Sequence, residues 1–239
     1  MLPFDAVVLA GGRGTRLREV VAHLPKPMAP VAGRPFLELL LGSLAAKGIG
    51  RAVLSLGYMA QVVVDHFGPR FSGIELDYAI ESTPLGTGGG LRAAMLRVST
   101  SHALVVNGDT FLDLDLAALA AFHAERDVPV LVGRAVDDAA RYGRLRTSGG
   151  RVVGFDEKGA PGPGIINTGH HVLPQTMFDG QALPERFSFE VDFLPVEVGA
   201  QRFDLFVAEG AFIDIGVPDD YRRAQTELAP FAAALSTRV

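Results

Sequence analysis

Asp5-Ala6-Val7-Val8-Leu9-Ala10-Gly11-Gly12-Arg13-Gly14-Thr15-Arg16 decides the fold: an apolar strand over Asp5–Ala10 runs straight into a loop of glycines and arginines. A short, continuous apolar run closed by a glycine turn is the pattern of a strand buried on both faces in a parallel sheet. In such sheets ligands bind beyond the carboxyl ends of the strands, which is where this loop falls. Its glycines let the backbone approach a phosphate and aim successive N–H groups at it. Thr15 adds a hydroxyl donor, Arg16 a forked cation and Arg13 a second cation. Taken alone, the loop reads equally well as a solvated glycine turn. Lys26 shifts that balance, because Pro25 and Pro27 restrict the backbone around it and hold it as a fixed cation.

Downstream, strand and helix signals alternate. A helix follows Pro35 and ends at Gly48. Next come strand Ala52–Leu56, helix Ala60–Phe67, strand Glu75–Ile80, helix Gly89–Arg97, strand Ala103–Val106 and helix Leu116–Glu125, the last N-capped by Asp115. This order predicts an α/β fold, a Rossmann-like, mostly parallel central sheet flanked by helices. After Pro129 the strands shorten and turns multiply, as at Ser148-Gly149-Gly150 and Gly159–Gly164. A smaller subregion built on the first half is expected there, within one domain over residues 1–239. A late helix is expected from Asp219 to about Ala229, with Pro230 stopping or kinking it.

The chain has 239 residues, 48% of them hydrophobic, enough for a sizeable core. It contains no cysteine, so a metal would need oxygen or imidazole ligands, and a cytoplasmic location is expected. Every apolar run is short of membrane-spanning length. A net charge of -5 argues against nucleic acid as the main partner. Between Met1 and Pro30, however, Arg13, Arg16, Arg18 and Lys26 outnumber Asp5 and Glu19, which points to a local anion site.

Two acids stand out. Asp109 follows the buried run Ala103–Val106, and Asp214 sits in Phe212-Ile213-Asp214-Ile215-Gly216. Together they could hold one Mg²⁺ through carboxylates and waters, with nucleotide phosphates completing its shell. Glu81–Gly90 is a glycine-rich connection against which a base or ribose could lie, while Asp113 reads as a local turn. His170-His171 reads as structural, and the other histidines as helix or surface residues. A dinucleotide-binding oxidoreductase is excluded: the three-glycine spacing fails, and the second strand ends at Leu56-Gly57 without an acid for the ribose. No Walker lysine motif is present.

Through Leu9–Leu17 and Pro25-Lys26-Pro27-Met28 the chain resembles the sugar-1-phosphate nucleotidyltransferases over essentially its whole length. The resemblance implies transfer of a nucleotidyl group from a nucleoside triphosphate to a sugar 1-phosphate, with Mg²⁺, release of pyrophosphate and formation of a nucleotide-sugar for surface polysaccharide synthesis. It implies a nucleotide-binding half over about 1–135 and a sugar-phosphate half over about 136–239. Arg16, Lys26 and Asp109 take catalytic roles by it, and Asp109 and Asp214 hold the metal. Leu9, Ala10, Gly11, Gly12, Arg13, Gly14, Thr15, Glu81, Gly86, Thr87, Asn107 and Gly108 bind the nucleotide. Tyr142, Gly143, Glu157, Lys158, Asn167 and Gly169 bind the sugar phosphate. Glu81 would face the base edge, where a carboxylate can accept from guanine N1–H and the exocyclic amine. Phe187-Ser188-Phe189-Glu190 resembles the acceptor side of the family.

Within the family, Leu85–Gly90, the Phe-Ser-Phe-Glu element and Phe212–Pro218 look most like D-glycero-α-D-manno-heptose-1-phosphate guanylyltransferases. Mannose-1-phosphate guanylyltransferases and N-acetylmuramate-1-phosphate uridylyltransferases are the alternatives. A monofunctional monomer or homodimer with no nucleic-acid or membrane partner is expected. A non-catalytic nucleotide-sugar-binding module is the rival class, and the presence of Lys26, Asp109 and Asp214 opposes it.

Overall fold

A computed structural model describes residues 2–12, 14, 17, 21, 23–142, 144–156, 161–200 and 202–236. Its strands are β1 (Phe4–Leu9), β2 (Pro30–Val31), β3 (Arg34–Pro35), β4 (Arg51–Leu56), β5 (Arg70–Phe71), β6 (Ile74–Ile80), β7 (His102–Asn107) and β8 (Thr110–Leu112). They continue with β9 (Val130–Val136), β10 (Leu145–Ser148), β11 (Arg151–Phe155), β12 (Gly164–Pro174), β13 (Asp204–Val207) and β14 (Phe212–Asp214). The helices are α1 (Phe36–Ala46), α2 (Ala60–Phe67), α3 (Gly86–Met95), α4 (Leu116–Ala124), α5 (Leu194–Gly199), α6 (Pro218–Glu227) and α7 (Ala229–Ser236).

The central sheet is large and mostly parallel, in the order β10-β11-β13-β9-β12-β7-β1-β4-β6-β5. β6, β4, β1 and β7 are parallel neighbours. β12 enters antiparallel between β7 and β9 and joins the second half to the first. Ala6, Val7 and Val8 are fully buried because helices cover both faces, as the unbroken apolar run requires. One face packs a core of α1, α2 and α4 residues (Leu40, Val63, Leu119), and the other a core of α3 and α5 residues (Leu91, Ala94, Leu194). A third cluster binds α6 and α7 to α1 around Phe36, Phe111 and Ile215.

The elements predicted from sequence are present, with three differences. Helix α3 begins at Gly86, not Gly89, so the glycine run is its first turn and not a loop. Glycine is a poor helix former, costing about 1 kcal/mol against alanine. Packing explains its use: a Cβ on Gly89 would lie 2.6 Å from the Glu185 carbonyl, and one on Gly90 2.6 Å from Glu81 Oε1. The late helix α6 closes at Glu227, close to the expected end, but a further helix, α7, follows with Pro230 in its first turn and runs to Ser236. Asp113 is more than a turn residue, because Lys47 Nζ donates to it at 2.6 Å.

Asp115 accepts from Ala118 N at 2.9 Å and caps α4 as expected. His170 and His171 are buried in β12, and burial lowers their pKa values to about 4 and about 3, so both are neutral structural residues. His102 departs from the helix-or-surface expectation by opening a strand, whereas His123 lies on α4 as expected and is buried there.

Candidate active site

The carboxyl ends of β1, β4, β6 and β7 open into a cavity of about 910 Å³. Leu9, Ala10, Gly11, Gly12, Lys26, Glu81, Gly86, Thr87, Asn107, Gly108 and Asp109, all singled out in the sequence, line it. The strand ends are locked together at its floor: Gly108 N donates to Leu9 O at 2.9 Å, and Ala10 N to Ser55 O at 2.9 Å. Gly14 packs against the Lys26 stem. Arg13, Thr15 and Arg16 lie outside the described residues.

Lys26 is carried by a short 3₁₀ turn, Lys26–Met28, that Pro25 leads into. Its ammonium forms an ion pair with Asp109 Oδ2. The lysine side chain is only 10% exposed and that of Asp109 37%, so of the two cavity-lining partners the carboxylate is the more open. Asp109 and Asp214 are brought together by the β8–β14 ribbon, in which Asp214 pairs with Thr110 while Ile215 N donates to Asp109 O at 3.0 Å.

Burial first, and then the neighbouring Asp109, push the Asp214 carboxyl above its ordinary value, while Lys26 and the Gly216 N–H oppose them. Asp109 is paired with Lys26 while Asp214 has no ion-pair partner among the described residues, so the two neighbouring carboxylates are hard oxygen donors with one ammonium between them and excess negative charge. That donor set fits a hard divalent cation, whose charge would relieve the repulsion between them.

Glu81 follows β6, and its Oε2 accepts from Leu85 N at 2.9 Å. Burial pushes its carboxyl above the ordinary range, and the Leu85 hydrogen bond works against that. Thr87 Oγ1 accepts from Phe189 N at 3.0 Å and donates to Glu190 Oε2 at 2.5 Å, fastening α3 to the Phe187–Glu190 segment.

Past the end of β7, β12 shifts register between Asn167 and His170. Within that irregularity Asn167 Oδ1 accepts from Gly169 N at 2.9 Å, and Gly169 takes a φ of 73°, a left-handed conformation suited to glycine. A side chain at Gly169 would collide with the Asn107 amide, so this turn sits directly beside the large cavity. Tyr142 and Asp214 line a second cavity of about 310 Å³ with Arg134 and Arg223. Arg141, next to Tyr142, is anchored by the buried Asp220 at 2.5 Å. Gly143, Glu157 and Lys158 lie outside the described residues.

Sequence reasoning gave no site role to Ser55, Tyr58, Arg186 or Glu190, which also line the large cavity. Glu190 belongs to the Phe-Ser-Phe-Glu element, so its segment was visible but its role was not. Ser55 and Tyr58 carry no motif, and only the parallel register that sets β4 beside β1 reveals them.

A family model described as nucleotidyl transferase matches residues 5–230. The chain is 40% identical over 225 residues to D-glycero-alpha-D-manno-heptose 1-phosphate guanylyltransferase of Aneurinibacillus thermoaerophilus, covering 94% of this chain and 98% of that one. It is 36% identical to mannose-1-phosphate guanylyltransferase of Mycobacterium tuberculosis, but covers only 64% of that protein. Among solved structures, HddC from Yersinia pseudotuberculosis complexed with GMP-PN matches with a TM-score of 0.83 at 38% identity, covering 94% of this chain and 99% of that one.

Proposed function

The chain belongs to the nucleotidyl transferase family, and from that premise we propose that it transfers GMP from GTP to D-glycero-α-D-manno-heptose 1-phosphate, releasing pyrophosphate and forming a GDP-heptose. The observation that carries the reaction class is the Lys26–Asp109 pair where the strand ends open into the cavity, with Asp214 set beside Asp109 by the β8–β14 ribbon. The near end-to-end match to a heptose 1-phosphate guanylyltransferase favours heptose over mannose, whose enzyme is matched over only part of its length.

The nucleophile is a phosphate oxygen of the sugar 1-phosphate, already ionised at neutral pH. It attacks the α-phosphorus in line, and the bond to the bridging oxygen of pyrophosphate breaks as the new P–O bond forms. No general base is required, so catalysis rests on positioning and charge neutralisation. The backbone from Leu9 to Gly12, with Gly14, Arg13, Thr15 and Arg16, holds the triphosphate. Lys26, kept in place by Asp109, neutralises charge that develops on the phosphates. Glu81, braced through one oxygen by Leu85 N, keeps the other for the guanine edge. Gly86, Thr87, Asn107 and Gly108 wall the nucleoside. Tyr142, Gly143, Glu157, Lys158, Asn167 and Gly169 bind the acceptor. Family members generally use a divalent metal; here it would be Mg²⁺, held by Asp109 and Asp214 and lending charge neutralisation at the phosphate oxygens.

Among the described residues no helix is long and apolar enough to cross a membrane. A cytoplasmic monomer or homodimer, where GTP is available, is the setting this reading implies. Pyrophosphate release from a panel of GTP, ATP, UTP and dTTP against heptose, mannose, glucose and N-acetylmuramate 1-phosphates tests it. GTP with the heptose 1-phosphate should give the highest kcat/KM. A higher value for UTP, or for mannose 1-phosphate, would replace the substrate assignment, and inactivity with every pair would overturn the reaction.

A further inference from the structure

At the opposite edge of the sheet, His102 opens β7, His123 lies in the last turn of α4, and Asp127 follows that helix in a left-handed conformation with φ 50°. One potential ligand atom from each residue lies within 4.8 Å of the other two. His102 Nε2 stands 3.9 Å from Asp127 Oδ1, and the two imidazole centroids are 4.4 Å apart. Ser101 Oγ contacts the other nitrogen of His102, Nδ1, at 3.2 Å, which leaves Nε2 to face the aspartate. His123 is 6% exposed, and its Nε2 has no hydrogen-bond partner among the described residues. A buried ring nitrogen without a partner is costly in a core. Here the ring that carries it lies beside a second imidazole and a carboxylate.

We propose that His102, His123 and Asp127 form a structural site for a borderline divalent cation, Zn²⁺ by preference, with water as the fourth ligand. Two imidazoles and one carboxylate suit zinc, whereas Mg²⁺ prefers an all-oxygen shell. Around a tetrahedral zinc with bonds near 2.0 Å, neighbouring ligand atoms lie about 3.3 Å apart. The Asp127 side chain is 83% exposed and free to rotate over the remaining distance. The adjacent cation, Arg126, pairs with Glu125 and Asp204 and stacks over Phe122, so its charge is answered elsewhere. Bound metal would clip the carboxyl end of α4 to the start of β7. His102 and the cavity-lining Asn107 are the two ends of that strand, about 16 Å apart at 3.3 Å per residue. The clip therefore acts on stability and not on turnover.

The test is zinc titration of the untagged full chain by calorimetry in millimolar Mg²⁺, which occupies the catalytic carboxylates, alongside His102→Ala and Asp127→Asn. Asparagine keeps the left-handed turn, so Asp127→Asn decides the matter even if His102→Ala fails to fold. One Zn²⁺ per chain is expected, with at least a tenfold loss of affinity in each variant and a zinc-dependent rise in melting temperature confined to the wild type. Cobalt in place of zinc should give the visible bands of a four-coordinate site in the wild type alone. No stoichiometric binding, or binding unmoved by Asp127→Asn, overturns the proposal.

Discussion

The two ends of the central sheet handle charge in opposite ways. At the amino-terminal edge, Asp5 on β1 accepts from Arg51 at 2.9 Å and from Ser99 N at 2.7 Å, Arg51 reaches Asp77 at 3.1 Å, and Arg97 closes on Asp77 at 3.2 Å. Every charge in that network is answered by a neighbour. At the carboxyl-terminal edge, Lys26 answers Asp109, and Asp214 has no ion-pair partner among the described residues. Charge matched within the fold holds the fold together, whereas charge left short at a cavity mouth is arranged for something that enters. The proposed zinc clip lies at the first edge, where a structural ion belongs.

Substitutions on the same strands should therefore separate activity from stability. The largest effect is expected from Asp109→Asn: turnover should fall by on the order of 10³-fold, comparable to loss of a key electrostatic group in an active site. Its melting temperature should barely move, because the residue is half-exposed. Undiminished pyrophosphate release would remove Asp109 from the mechanism. Asp5→Ala should show the reverse. Stripping a buried carboxylate from Arg51 should cost about 3 kcal/mol of stability, read by urea unfolding, with kcat/KM at low temperature unchanged. An active-site defect without destabilisation would break the contrast.

The same contrast governs what could be read from the sequence. The carboxyl-terminal edge was legible because its chemistry is local: a strand, then glycines, then a lysine between prolines, and an acid just past a buried run. The parallel order of β1, β4, β6 and β7 was legible from alternation, since consecutive strands joined by helices place each loop on the same edge. The amino-terminal network was not, because Asp5, Arg51 and Asp77 are far apart in the chain and meet only through strand register. The role of the glycine run escaped as well. Its small size serves residues 185–187 roughly a hundred positions later, a contact that no local pattern announces.

Asp214 offers a finer probe of the unanswered charge. A carboxyl whose pKa is raised by folding binds its proton more tightly in the native state, so its contribution to stability falls as pH rises from its ordinary value through the raised one. At neutral pH without metal, Asp214→Asn should raise the melting temperature, because it removes a charge that the fold disfavours. The gain should vanish below about pH 4 and shrink when Mg²⁺ stabilises the wild type. A variant that is less stable at every pH would show the aspartate to be structurally satisfied.

The smallest expected effect is at Asn167, in the proposed acceptor site, where one amide has two uses to separate. Its Oδ1 holds the Gly169 turn, and Nδ2 is the donor that the turn does not need. If that donor reaches the sugar phosphate, Asn167→Ala should raise the acceptor KM about fivefold, the worth of a hydrogen bond near 1 kcal/mol, and leave the KM for GTP alone. Asn167→Asp separates the two uses, since it keeps the turn's acceptor and removes the donor. An acceptor KM raised in both variants assigns Asn167 to the ligand. One raised only in Asn167→Ala assigns it to the turn, and the acceptor would then be held from the Tyr142 side of the site.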